Sequence, residues 1–353
     1  MAEPHRAGAA FQIGLYTFAE CAPDPKAGGV GPAERLRNLV EEIALADQVG
    51  LDWFGVGEHH RPDYAVSRPA VALAAGAPAT RHIRLSSAVT VLGSDDPVRV
   101  CEEFAMLDNL TQGRAEIMAG RGAFVESFPL HGLALQDYES LFEEKLALLL
   151  RLAGGGPVTW PGGRHTRPIE GRSPFPQPVQ HPLPVWLASG GTPASVMRAA
   201  ALGLPLAVGI IGGDLGRFRP LFDLYRQGWA RAGHDPARMG LALNVHGFVA
   251  RDDRLAADLY SGPHNAVMTR LGAERGWPAA TRAQFDAQTG PGGALFVSGP
   301  AAMVDKILAW REAFGLTRIA LQMGVGPVPH RDLMAAIELL GTEVAPEIRK
   351  AIG

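Results

Sequence analysis

The chain has 353 residues, 47% of them apolar and 20% charged, which suits a protein that buries a large core and excludes a disordered one. A net charge of -3 leaves no global field to gather nucleic acid or an anionic membrane surface, so any phosphate must be held by a local device. Two cysteines, Cys21 and Cys101, are too few for a disulfide framework; with no basic and then apolar leader, they point to a reducing cytoplasm. Apolar stretches break off before the roughly 18 to 20 residues of a membrane span.

In chain order, runs rich in Ile, Val and Leu alternate with helical patterns. Strands are predicted at 11–18, 52–57, 83–92, 115–119, 184–189, 205–211, 241–249 and 318–323. Helices are predicted to begin near Pro32, Pro69, Pro97, Asp137, Pro193, Asp214, Arg254 and Pro300, with a last one after Pro329. Proline recurs at these starts because its missing N–H would lack an intrahelical partner there anyway. Over 33–49, Leu36, Leu39, Val40, Ile43, Ala44 and Ala46 share one stripe that should pack on a sheet, and Gly50 should end the helix. Eight such units meet the closure condition of an α/β (β/α)8 TIM barrel, for which about 250 residues suffice. The reading is therefore one domain over 1–353, with insertions after strands 4 and 7 at about 153–183 and 261–297. The second would overhang the catalytic face as a lid loop.

The densest chemistry lies in LDWFGVGEHHRP, residues 51–62, where an apolar strand runs into Glu58, His59 and His60. Alternation turns Glu58 and His60 to one side and His59 to the other. These side chains either tie the strand end to neighbouring loops or act on substrate as acids and bases, since imidazole titrates near neutrality. Helical H-E-x-x-H spacing and a further ligand cluster are both missing, so no metal is expected. After strand three, the small residues Ser86, Ser87 and Ala88 either admit a flat ligand or merely fill a crowded interior, and Asp95 and Asp96 read as a helix cap before Pro97. Arg121, between Gly120 and Gly122, could grip a phosphate with its planar fork or pair with Glu116 or Glu126. Gly190, Gly191, Thr192 and Ser195 form a turn into a helix, which suits either an anion or simple capping. Gly212, Gly213 and Asp214 read as a turn and cap. His246 is toward the exit of strand seven, whereas His131 and His330 read as structural and Trp53, Trp186 and Trp310 as core.

Taken together, GLYTFAE, ERLRNLVEEIALADQVGLDWFGVGEHH, SSAVTVLGSDDPVRVCEEFAMLDNLTQGRAEIMAGRG and LASGGTP followed by LGLPLAVGIIGG resemble the luciferase-like flavin-dependent monooxygenases. The opening GLYTF and the ending LLGTEVAP are similar to an oxidoreductase subgroup within them. The resemblance implies a TIM barrel, reduced flavin mononucleotide (FMN) and oxygen acting on a small organic substrate, a possible separate flavin reductase and a homodimer. It implies that His59 is the catalytic histidine, with Glu58 and His60 shaping the reactive end. Arg121 would hold the phosphate with Gly190, Gly191, Thr192 and Ser195, and Ala88 and Val89 would form a non-prolyl cis peptide beneath the flavin ring. The chain departs from bacterial luciferase in having Gly120 in place of a reactive cysteine, which argues against light emission, and Gly191 in place of a glutamate, which removes a negative charge beside the phosphate and leaves the turn to hold it mainly through backbone N–H groups. One branch uses a deazaflavin coenzyme for hydride transfer, and a non-catalytic flavin-binding protein is a further alternative.

Overall fold

The computed structural model describes residues 11–22, 29–122 and 124–353. Eight parallel strands close on themselves: β1 (Gln12–Thr17), β2 (Trp53–Val56), β3 (Arg84–Ser87), β4 (Ala115–Gly120), β5 (Val185–Ser189), β6 (Leu206–Ile210), β7 (Leu241–Val249) and β8 (Arg318–Gln322). Consecutive strands are neighbours throughout, and β8 pairs with β1 to complete the ring. The helices that return the chain are α1 (Pro32–Gln48), α2 (Pro69–Gly76), α3 (Pro97–Thr111), α4 (Tyr138–Ala153), α5 (Pro193–Leu202), α6 (Arg219–Arg231), α7 (Asp253–Arg275), α8 (Arg282–Thr289), α9 (Pro300–Phe314), α10 (His330–Leu339) and α11 (Ala345–Ile352). This is the TIM barrel that the alternation predicts. No described helix is long and apolar enough to cross a membrane.

Helix α1 shows how the pattern becomes packing. Leu39, Ile43 and Ala46 are fully buried, and burying Leu39 and Ile43 contributes roughly 1.5 to 3 kcal/mol each. The outer core between strands and helices is separate from a second apolar cluster of Tyr16, Trp53, Ala88, Met118, Trp186, Ala207, Ala242 and Ala320, whose members share the inward parity of their strands. Below that layer Arg318 is sandwiched between the rings of Trp53 and Trp186, 5.0 and 4.2 Å away, and donates to both Glu116 oxygens at 2.9 and 3.1 Å. Two buried charges tolerate this position only because each is paired and hydrogen-bonded, and the pair plugs the N-terminal end of the barrel.

Three expectations are corrected. The third strand is not continuous over 83–92; it stops at Ser87, and pairing resumes only at Thr90–Val91. The helix expected near Asp214 begins at Arg219, after a 3-10 turn that Asp214 caps by accepting from Gly216 N at 2.7 Å. The segment 261–297 is not a loop, because α7 continues through Pro263 to Arg275, α8 follows, and Phe296–Ser298 adds a strand beside β7. The C-terminal part of α7 is fastened to the loop after β2 by Arg61 to Glu274 at 2.6 Å and Arg270 to Asp63 at 2.8 Å. In the first insertion, Val158–Trp160 and Ile169–Arg172 form a two-stranded antiparallel hairpin. Trp53 and Trp186 are buried as expected, but Trp310 is half-buried, its indole N–H donating to Pro291 O.

Candidate active site

Inward parity decides what the open, C-terminal end of the barrel presents. Continuing the inner layer upward gives Ala188 on β5, Gly209 on β6, Asn244 and His246 on β7, and Gln322 on β8. The β3 to β6 side is therefore floored by small residues, while the β7 to β2 side carries polar and aromatic bulk. Gly190 and Gly209 leave open space: a Cβ at 190 meets nothing within 4 Å, and one at 209 meets only Ser189 O at 4.0 Å. Buried polar atoms without a partner occur around this end, namely Thr90 Oγ1, Asn244 Oδ1, Gln322 Oε1 and His59 Nε2. A desolvated acceptor or donor with no partner is costly, so these atoms suit a ligand that completes their bonds. A flat, polar-edged heterocycle fits that combination of bare floor and unsatisfied rim.

Glu58, His59 and His60 sit where the strand end places them, and alternation divides them as expected. Glu58 is buried; one oxygen contacts His60 Nε2 at 3.0 Å and the other accepts from Val91 N at 2.9 Å. It thereby ties the end of β2 to the chain just past the Ala88–Val89 peptide, which is cis. His59 stands in a box of rings, with Tyr64, Phe18 and Phe124 centroids at 4.3, 4.6 and 5.1 Å. Burial there pushes its imidazole down to about 3, so at neutral pH it is uncharged. A narrow cleft of about 10 Å³ opens on Glu58, His59, His60, Val91 and Phe124.

Arg121 after β4 and the glycine turn after β5 are brought together at this end. Arg121 donates from Nη2 to Ser195 Oγ at 3.1 Å, and Thr192 Oγ1 donates to the same oxygen at 2.8 Å. Thr192 is the N-cap of α5 yet makes no side-chain cap, so the capping alternative fails and the first N–H groups of α5 are not taken up by its hydroxyl. Gly191 has φ +99°, a conformation that L side chains rarely adopt. Arg121 is paired with neither Glu116, which lies at the opposite end of the barrel, nor Glu126. It contacts Glu139 at the start of α4, and its guanidinium lies over the Tyr138 ring at 5.1 Å. Gly120 is packed tightly, since a Cβ there would come within 2.8 Å of Val89 Cγ2.

Sequence reasoning missed several members of this end. Glu139 and Tyr138 carry no motif, Phe124 belongs to a loop, and Asn244 was legible only through its shared parity with Ala242 and His246. His246 Nδ1 is 3.1 Å from His264 Nε2 on α7, and burial pushes the two imidazoles down to about 3 and about 4. His330 is structural as expected, bonded to Glu41 at 2.9 Å, whereas His131 is exposed with its ring 5.4 Å from that of His60. Asp96 caps α3 by accepting from Val98 N and Arg99 N. Among the described residues no cluster of three or more metal-ligating side chains occurs.

Comparison with known proteins agrees with this architecture. The protein y4vJ of Sinorhizobium fredii is 25% identical over 91% of this chain and 94% of its own length. Among solved structures, the monooxygenase RslO1 from Streptomyces bottropensis superposes with a TM-score of 0.80 at 23% identity, covering 95% of this chain and 99% of that one. The oxygenating constituent of 3,6-diketocamphane monooxygenase from Pseudomonas putida, solved with FMN, gives 0.77 at 19% identity over 96% and 99%. At these identities the two structures speak for the fold. The family model described as luciferase-like monooxygenase matches residues 11–317, and on that match the chain belongs to the luciferase-like monooxygenase family.

Proposed function

We propose that this protein is a flavin-dependent monooxygenase that binds reduced FMN at the C-terminal end of its barrel and inserts one oxygen atom of O2 into a small organic substrate. The observation that carries the reading is the meeting of Arg121, Ser195 and Thr192 at the start of α5, on the same rim as His59 and the Ala88–Val89 turn. Reduced flavin, when bound, supplies the two electrons that let one oxygen atom go to substrate while the other leaves as water. The protein's share is grip, orientation and exclusion of water. Arg121 with the hydroxyls of Thr192 and Ser195 and the N–H groups of the first turn of α5 beyond Pro193 hold the phosphate. Ala88 and Val89 back the ring system, over the floor left by Ala188 and Gly209. Neutral His59, with its free Nε2, presents a hydrogen-bonding atom inside an apolar box, and Glu58 with His60 fixes the adjacent backbone. A separate reductase delivers the reduced flavin, and the barrels pair as homodimers in the cytoplasm.

Titration of FMN, oxidised and reduced, against a deazaflavin coenzyme tests the cofactor, followed by fluorescence. Oxygen uptake with each distinguishes oxygenation from hydride transfer. Arg121→Ala should weaken FMN binding by about 10- to 100-fold, the value of a charge-assisted pair. Unchanged affinity would remove the phosphate assignment. Stoichiometric flavin binding with no oxygen uptake and no sensitivity to His59→Ala would leave a binding protein instead.

A further inference from the structure

A cavity of about 400 Å³ forms a chamber beside the barrel mouth. Among the described residues its walls come from the loop after β1, the first turns of α1, the C-terminal part of α7 and the segment leading into α10. Val30, Val267, Val328 and Leu333 make much of that wall apolar, so an occupant must bring a carbon body.

The charged groups on the wall are sorted into pairs, with one exception. Glu42 accepts both arms of Arg35 at 2.7 and 3.0 Å, and His330 leans on Glu41 and Glu42 at 2.9 and 3.5 Å. Asp63 contacts Arg270 at 2.8 Å and Arg61 at 3.2 Å. Among the described residues Glu20 has no ion pair. Its Oε1 accepts from Gln322 Nε2 at 2.9 Å, while its Oε2 is buried and bonded to nothing. Burial pushes this carboxyl up to about 7, and Arg35 nearby and the Gln322 hydrogen bond offset that only in part. Three carboxylates thus face two guanidiniums that are both already engaged. The missing partner is a cationic N–H donor attached to an apolar body.

We infer that the chamber binds a small aliphatic amine, its hydrocarbon part against Val267, Val328 and Leu333 and its ammonium donating to Glu20 Oε2. The chamber adjoins the mouth: Gln322, the partner of Glu20, shares the inward parity of β8, and Tyr64, bridged to Glu20, has its ring 4.3 Å from that of His59. Resting on the flavin reading of the mouth, this makes an amine-bearing molecule the substrate class. Glu20 is then a specificity-determining residue, since a site built around a buried carboxylate leaves it unpaired when the ligand lacks the donor.

The test is calorimetric titration of the full chain, without flavin, at pH 8 with cyclohexylamine, cyclohexanol and cyclohexanecarboxylate. Cyclohexylamine should bind saturably, cyclohexanol about tenfold or more weakly, and the carboxylate not measurably. Glu20→Gln should weaken the amine about 10- to 100-fold without lowering the melting temperature, because it removes a buried uncompensated charge. Glu20→Asp should recover part of the loss, and Val328→Trp, which fills the chamber from a loop, should abolish binding. Absence of saturable amine binding, equal affinity for the alcohol, or indifference to Glu20→Gln overturns the assignment. Amine binding in a protein that fails to bind FMN removes the cofactor reading and leaves the chamber; FMN binding without amine binding does the reverse.

Discussion

Glu139 holds Arg121 where we place the cofactor phosphate, and that makes it a competitor with a measurable cost. Its carboxylate contacts Nη1 of Arg121 and lies 3.4 Å from Arg198, which also has Glu143 at 2.5 Å. The Glu139 side chain is 58% exposed, so the pair it forms with Arg121 is largely screened and contributes about 0.2 to 1 kcal/mol. A phosphate that takes the guanidinium must first break this pair. Replacing Glu139 with Ala therefore removes the competition and should tighten FMN binding by about 1.4- to 5-fold, the free energy converted through RT ln Kd. Glu139→Gln should give most of the same gain, since the charge is what competes. The gain should shrink as salt rises, because the Debye length is only about 10 Å at 0.1 M. Fluorescence titration of FMN at low and high salt, with the melting temperature as a control on folding, measures all three. If Glu139→Ala weakens binding instead, Glu139 orients the arginine rather than opposing the ligand, and the competitive reasoning is refuted.

Gly209→Leu should leave the melting temperature nearly unchanged, since a Cβ there meets only Ser189 O at 4.0 Å, yet should block FMN binding by filling the floor; intact binding would move the ring elsewhere. Glu58→Ala should cost about 2 to 4 kcal/mol in urea unfolding, because it leaves Val91 N unpaired and His60 without its carboxylate. Gly120→Ala should also destabilise, by about 1 to 3 kcal/mol, as the added methyl meets Val89 at 2.8 Å. His59, His246 and His264 are held neutral down to about 3, 3 and 4, so the unfolded chain binds protons that the folded one does not as pH falls below about 6.5. Stability from these groups is present above that pH and is lost on acidification at up to about 4 kcal/mol per pH unit for the three, and His246→Gln should flatten the urea midpoint against pH between 6 and 4.

The barrel was legible because its physics is periodic: inward parity, proline at helix starts and eight βα repeats are all written locally. The same parity, written in the strand, separates His59 from Glu58 and His60. What the sequence could not carry is closure. Arg121 and Ser195 are 74 residues apart and meet only because β4 and β5 are neighbours in the ring. Glu20 and Gln322 are 302 apart and meet only because β8 returns to β1. Segment 261–297 reads as a loop because Pro263 and the glycines near 290 look like loop signals, while tertiary packing of Tyr260, His264, Val267 and Phe285 keeps the helices going. Proline within a helix removes one hydrogen bond, and burial of the surrounding turns outweighs that loss.

Together these placements give the rim a division of labour. On the β4 to β6 side the backbone is bare, the residues are small, and the cation Arg121 stands at a helix N-terminus; that side binds by geometry and charge, with little side-chain bulk to discriminate between neutral groups. On the β7 to β2 side the buried atoms without hydrogen-bond partners include Asn244 Oδ1, Gln322 Oε1, Glu20 Oε2 and His59 Nε2, of which the first three are acceptors. On the proposed function, an end with Arg121 on one side and unsatisfied acceptors on the other would orient a bipolar ligand system, anion toward β4 and β5, donor groups toward β8 and β1. Because α7 is fastened over the second side through Arg61, Asp63, Arg270 and Glu274, loosening those pairs should alter access to the acceptor side and leave the Arg121 side untouched. Arg270→Ala is the cleanest such change: it should shift amine binding while FMN affinity stays constant, and a parallel loss of both would show that the two sides are not independent.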